Sequence, residues 1–105
     1  MILVHIITQK RAQAIEIIDA LLEEKLLFNA MLSRKKVYEK NKETGQLVGN
    51  VQTLIIGKTK SLLFSKINEF IVSKYAQEVP SLYCLPIVYI DPGKAEELLK
   101  KTMEV

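Results

Sequence analysis

Residues Ile2 to Thr8 read Ile-Leu-Val-His-Ile-Ile-Thr, a β-branched run that is apolar on both of its alternating sets. Successive side chains of a strand point to opposite faces, so Ile2, Val4 and Ile6 share one face and Leu3, His5 and Ile7 the other. A strand of this composition needs cover on both sides. With 105 residues the chain has room for a single domain spanning 1–105, so one polypeptide must supply that cover or find it in a partner.

The rest of the chain supplies cover for one side. Ala14, Ile15, Ile18, Leu21, Leu22 and Leu26 fall on one helical stripe, with Glu16, Asp19, Glu23 and Lys25 facing away. This spacing predicts a helix from about Lys10 to Lys25, with Thr8 as its N-cap. A second strand is expected from about Leu27 towards Tyr38 or Lys40. Asn41-Lys42-Glu43-Thr44-Gly45 reads as a turn, with Gly45 free to take positive φ. A third strand follows from Gln46 to about Lys58. Two strands of ~12 residues make a hairpin of about 40 Å, longer than a domain with a radius of gyration of ~13 Å can cover. The hairpin is therefore expected to project or to lie against a neighbouring subunit.

Leu63, Phe64, Ile67, Phe70, Ile71 and Lys74-Tyr75 carry the spacing of a second amphipathic helix, capped by Thr59 or Ser61. Leu82 to Tyr89 reads as a fourth strand, in which Pro86 argues for an edge position, a strand end or a bulge. Asp91-Pro92 marks the start of a final helix, near Gly93 to Met103. The order β-α-β-β-α-β plus a terminal helix defines an α+β, ferredoxin-like sandwich with an additional C-terminal helix. Two helices cover one sheet face. Whichever set of the first strand it carries, Leu3, His5 and Ile7 or Ile2, Val4 and Ile6, the other face is apolar, as is the Leu54-Ile55-Ile56 run, and an exposed apolar area of this kind drives self-association.

Lys and Arg outnumber Asp and Glu by 15 to 12, with the excess concentrated between Arg34 and Lys42. Such a segment can meet phosphate or acidic lipid, but it equally describes a hairpin tip kept soluble by lysines. The single cysteine, Cys84, excludes an intrachain disulfide and fits a reducing compartment. The apolar N-terminus lacks a basic n-region and a cleavage site and is too short to span a bilayer. A cytoplasmic protein without a membrane partner is expected.

Several segments resemble the CutA family of divalent-cation-tolerance proteins. Ala20-Leu21-Leu22-Glu23-Glu24-Lys25-Leu26 is similar to that family's Ala-Leu-Val-Glu-Glu-Arg-Leu, and Gly45-Gln46-Leu47 to its Gly-Lys-Ile after the hairpin turn. Lys58-Thr59 matches its Lys-Thr. Glu78-Val79-Pro80, with Leu82 and Leu85-Pro86, resembles its Tyr-Glu-Val-Pro-Glu-Ile and the strand beyond. The resemblance implies a PII-like homotrimer linked to metal-ion response, without catalytic activity. It also implies a ligand-binding cleft between subunits near Asn29, Lys58, Thr59 and Glu78. The chain departs from the family in having Asn29 where a cysteine is frequent, no tryptophan, and Tyr75-Ala76-Gln77 where the family has His-Pro-Tyr. The missing Cys and His are the ligands that favour copper or zinc, which leaves the divalent cation unidentified.

The residues themselves bound the chemistry. No CxxC, HxH or HExxH spacing occurs, so a closed tetrahedral metal site within one subunit is not expected. His5, mid-strand among aliphatics, reads more simply as a core or interface residue than as a metal ligand. Cys84 reads as a small buried hydrophobe. Lys58 and Thr59, before the second helix, can hold an anion or merely cap the helix. Gly57-Lys58-Thr59 echoes the end of a P-loop, but Gln52 replaces the required upstream glycine. Glu78 stands opposite Lys58 in a cleft between subunits or is a plain surface carboxylate. Acylphosphatase shares the topology, yet Thr8-Gln9-Lys10-Arg11 lacks the glycine-rich phosphate loop. Phe28, Tyr38, Tyr83 and Tyr89 are too dispersed for an RNA-stacking platform, so no nucleic-acid partner is expected. Two further readings remain open. One is a PII-like regulator whose Arg34 to Gly49 hairpin docks on a protein or reads a nucleotide; the other is a structural assembly without a ligand.

Overall fold

A computed structural model describes all 105 residues, Met1–Val105. Its elements are β1 (Ile2–Thr8), α1 (Arg11–Glu23), β2 (Asn29–Lys40), β3 (Leu47–Thr59), α2 (Phe64–Lys74), β4 (Ser81–Pro86) and α3 (Pro92–Lys101), with one 3-10 turn, Ser61–Leu63, leading into α2. The four strands form one antiparallel sheet in the order β2-β3-β1-β4. This is the α+β ferredoxin-like arrangement expected from the order of elements.

Ile2, Val4, Ile6 and Thr8 are buried under the helices, and Leu3, His5 and Ile7 on the other face are half-buried. The helix-side core joins Val4 and Ile6 to Ile17, Leu21, Ile55, Leu63, Ile67 and Ile71, all fully buried. Each such side chain contributes about 1.5–3 kcal/mol relative to exposure. The expected phase of α1 is corrected. Its buried row is Ala14, Ile17 and Leu21, while Ile15 and Leu22 are 45% and 38% exposed. Isoleucine and leucine occupy nearly every position from 15 to 22 except the acids, so hydropathy alone leaves the stripe free to rotate.

The caps also differ from expectation. Thr8 donates its hydroxyl to the Lys10 carbonyl at 3.0 Å and caps no helical N–H. Thr59 and Ser61 do not cap α2, because a 3-10 turn intervenes. At the other end of α1, Lys25 takes φ +57°. The Leu26 and Lys25 amides bond the carbonyls of Leu21 and Leu22 at 2.9 and 3.1 Å, a Schellman closure with lysine where glycine is usual. Asp91 does cap α3, accepting from the Lys94 amide at 3.3 Å, with Pro92 at the first helical position.

β1 pairs β3 as far as Thr8 with Thr53; beyond that, Lys35–Lys40 and Leu47–Gln52 pair only with each other, from Lys35 with Gln52 to Lys40 with Leu47. The hairpin therefore projects by roughly 20 Å at ~3.4 Å per residue. The molecule measures 50 × 29 × 20 Å with a radius of gyration of 15.3 Å, larger than the ~13 Å of a round domain this size. Asn41 builds the tip: its Oδ1 accepts from the Glu43 and Thr44 amides at 2.8 and 3.1 Å, and Gly45 takes φ +71°. β4 is an edge strand and stops at Pro86, not Tyr89: the Ile87 amide still bonds the Met1 carbonyl at 3.0 Å, but β1 offers no residue for Val88 and Tyr89 to pair with, and they are 92% and 91% exposed. The C-terminus is tied back by the Met103 amide to the Lys25 carbonyl at 2.8 Å, and by Lys60 Nζ to the Met103 carbonyl at 2.9 Å. No helix is long and apolar enough to cross a membrane.

Candidate functional site

The strand register arranges the face without helices into rows. Asn29, Lys58, Leu3 and Leu85 stand side by side across the four strands, followed by Met31, Ile56, His5 and Tyr83, then Ser33, Leu54, Ile7 and Ser81. Met31, Tyr83 and Leu85 are 61%, 46% and 44% exposed. Leu3, Leu54, Ile56 and Ile7 are half-buried. The face is thus an apolar field with His5 at its centre and Lys58 and Asn29 at one end.

His5 Nδ1 lies 3.3 Å from Tyr83 Oη, with the two rings 5.0 Å apart and tilted by 40°. The histidine is on the open face, not in the helix-side core. Met31 and Ile56 occupy the rest of its row, so Tyr83 is its one polar partner on the sheet. No three His, Cys, Asp or Glu side chains come together as a metal cluster within one chain.

Asn29 and Lys58 are direct cross-strand partners on this face. Thr59 points to the opposite side. It is fully buried, and its hydroxyl donates to the Leu26 carbonyl at 2.7 Å, so its polar atom already has a structural task. Glu78 is separated from Lys58 within the chain. Lys58 pairs with Leu3 at the start of β1, whereas Glu78 lies beside Ile7, Thr8 and Gln9 at its far end. Leu3 and Ile7 are four residues apart, or roughly 14 Å of strand. Within one chain the two residues flank opposite ends of the sheet, so a Lys58–Glu78 pairing of the kind expected from sequence can form only across subunits. Cys84 is likewise corrected: it is exposed, on the edge strand, where one side has no neighbour.

Glu78 instead forms part of the wall of a hollow of about 300 Å³, together with Gln9, Gln13 and Gln52. Sequence reasoning missed these glutamines, which come from the β1–α1 connection, α1 and β3 and have no motif spacing. A second, smaller dimple of about 70 Å³ lies on the open face between Ile7, Val37, Leu54 and Tyr83.

One charged cluster sits on the helix layer. Glu16 Oε1 accepts from Tyr75 Oη at 2.7 Å and from Lys74 Nζ at 3.1 Å. The Tyr75 hydroxyl, and after it Lys74, holds the Glu16 carboxyl below the usual carboxylate range. Burial, and after it Glu16, pushes the Tyr75 hydroxyl up to about 12. The cluster pins α1 to the end of α2 and contains no reactive pair.

The fold defined by this sheet and its projecting hairpin is that of the divalent cation tolerance proteins. The chain is similar to CutA1 from Pyrococcus horikoshii, at 19% identity over 99% of this chain and 100% of that one, with a TM-score of 0.86. It is also similar to the divalent cation tolerance protein of Thermus thermophilus, at 24% identity over 98% and 100%, with a TM-score of 0.80. The protein named periplasmic divalent cation tolerance protein CutA from Archaeoglobus fulgidus matches at 19% identity over 96% and 98%, with a TM-score of 0.83. No protein-family model and no curated protein matches the sequence. The CutA resemblance seen in the sequence is thus borne out as a likeness of fold along the whole chain.

Proposed function

We propose that the chain is a divergent CutA-like protein that acts as a homotrimer in tolerance of, or response to, divalent metal ions, holding a cation or small anion in clefts between subunits. The observation that carries this reading is the likeness of fold over 99% of the chain to CutA1, a protein whose relatives of the same fold are named for divalent cation tolerance. The apolar face around Ile56 and Met31 supports self-association, since a patch of several hundred Å² is seldom left bare on a monomer. Asn29 and Lys58, paired on that face, offer a polar foothold where a second subunit can add ligands. Copper or zinc would have to draw on His5 or on a neighbouring subunit, since Asn29 stands where the family often has cysteine. We assign no catalytic step: the lone histidine bonds Tyr83 and lies beside no nucleophile. A cytoplasmic location is proposed from the cysteine usage.

The PII-like alternative is favoured by one feature, the hairpin that stands clear of the body with Tyr38 and Leu47 57% and 65% exposed. Calorimetric titration with copper, zinc, ATP and ADP separates the readings. Saturable copper or zinc binding that is lost in Asn29→Ala or His5→Ala supports the metal-response role. Nucleotide binding lost in Lys58→Ala supports the regulator, and heat from none of the four contradicts both.

A further inference from the structure

The hollow at the far end of β1 has a largely polar wall that carries one charge. Glu78 contributes the single charge; Gln9, Gln13 and Gln52 contribute carboxamides, and no Lys, Arg or His takes part. None of these four side chains is engaged in a side-chain hydrogen bond or ion pair of the chain. A carboxylate only accepts hydrogen bonds, and each carboxamide offers two acceptor positions on its carbonyl beside the two donors of its NH₂. The remaining wall includes Ile7, Val79 and Pro80, a short apolar strip.

These features select among ligand classes. An anion would meet Glu78 with no cation to offset it. A soft metal ion would find neither sulfur nor imidazole. Volume argues against a bare ion of any kind, because about 300 Å³ equals roughly ten waters at ~30 Å³ each and lies at the lower end of organic-ligand sites. We propose that this hollow binds a small organic monocation with several N–H donors on a short alkyl stem, of the alkylguanidinium class. The planar head donates two parallel hydrogen bonds to the Glu78 carboxylate and the remaining N–H groups to the glutamine carbonyls. The stem lies along Ile7, Val79 and Pro80. All the lining residues belong to one chain, so the hollow needs no partner copy to form, although Glu78 is also one of the residues that the CutA resemblance places near the cleft between subunits.

The test is a titration of the full chain with n-butylguanidinium, n-butylammonium and uncharged n-butanol, followed by the side-chain NH₂ resonances of the glutamines in a ¹⁵N-correlated NMR spectrum. Saturable shifts of the Gln9, Gln13 and Gln52 resonances are expected with butylguanidinium, weaker ones with butylammonium, and none with butanol. Glu78→Gln, at an exposed position, should weaken binding at least tenfold, and Gln9→Ala a few-fold. Glu69→Gln, which removes an acid elsewhere on the surface, should change nothing. Shifts that rise linearly without saturating, that persist in Glu78→Gln, or that fall equally in Glu69→Gln would overturn the proposal.

Discussion

Thr59 donates its hydroxyl to the Leu26 carbonyl at 2.7 Å from a fully buried position at the end of β3. The bond joins the last residue of the ladder to the chain leaving α1, where Leu26 has just completed the helix closure. Thr59→Val keeps the shape but leaves that carbonyl without its donor. A loss of about 1–3 kcal/mol is expected in denaturant unfolding, with the fold retained. Because the hydroxyl is committed to Leu26, ligand titrations should be unchanged in this variant.

Lys25 holds φ +57°, a conformation that costs a side-chain-bearing residue about 1–2 kcal/mol. Its backbone satisfies the end of α1 through Leu22 and receives the Met103 amide, and all of this survives replacement by glycine. Lys25→Gly is expected to stabilise the protein by about 0.5–1 kcal/mol once the greater freedom of glycine in the unfolded chain is deducted. A rise in the thermal midpoint checks it; an unchanged or lower midpoint would show that the lysine pays no conformational penalty there.

The Glu16–Tyr75 contact shapes stability at both ends of the pH scale. Glu16 is depressed in the folded protein, so its contribution is present above the ordinary carboxylate value of 4.5 and lost as pH falls through the folded value. Tyr75 is raised, from 10.0 to about 12, so its contribution is present below 10.0 and lost as pH climbs towards 12. Glu16→Gln should remove the acid limb of a stability profile measured by denaturation and only reduce the alkaline one. An ultraviolet titration of that variant should still find one tyrosine above 10.0, because burial is the leading cause of the Tyr75 shift.

The elements were legible where local chemistry decides them. The alternation in Ile2 to Thr8, the Asn41 to Gly45 turn and the Asp91-Pro92 helix start each depend on a few neighbouring residues, and each appears as expected. The phase of α1 was not legible, because Ile15, Ile17, Ile18, Leu21 and Leu22 spread apolar side chains over a broad arc of the helix, and only packing in the core shared with Ile6 and Ile55 selects Ile17 within it. The site was less legible still. Asn29 and Lys58 meet as cross-strand partners, while the distance between Glu78 and Lys58 within one chain follows from strand order and register, which no local spacing encodes. Cys84 reads as core by composition and is exposed because its strand forms the sheet edge.

The homotrimer proposal rests on burial of the face centred on Ile56, Met31 and His5 against other copies of the chain. Size exclusion coupled to light scattering tests it directly. The chain should run as a single species of three times 12.0 kDa, and Ile56→Glu, on the open face and away from the helix-side core, should reduce it to a folded monomer. A stable species of 12.0 kDa for the unaltered chain, or a trimer indifferent to a charge at position 56, would contradict it.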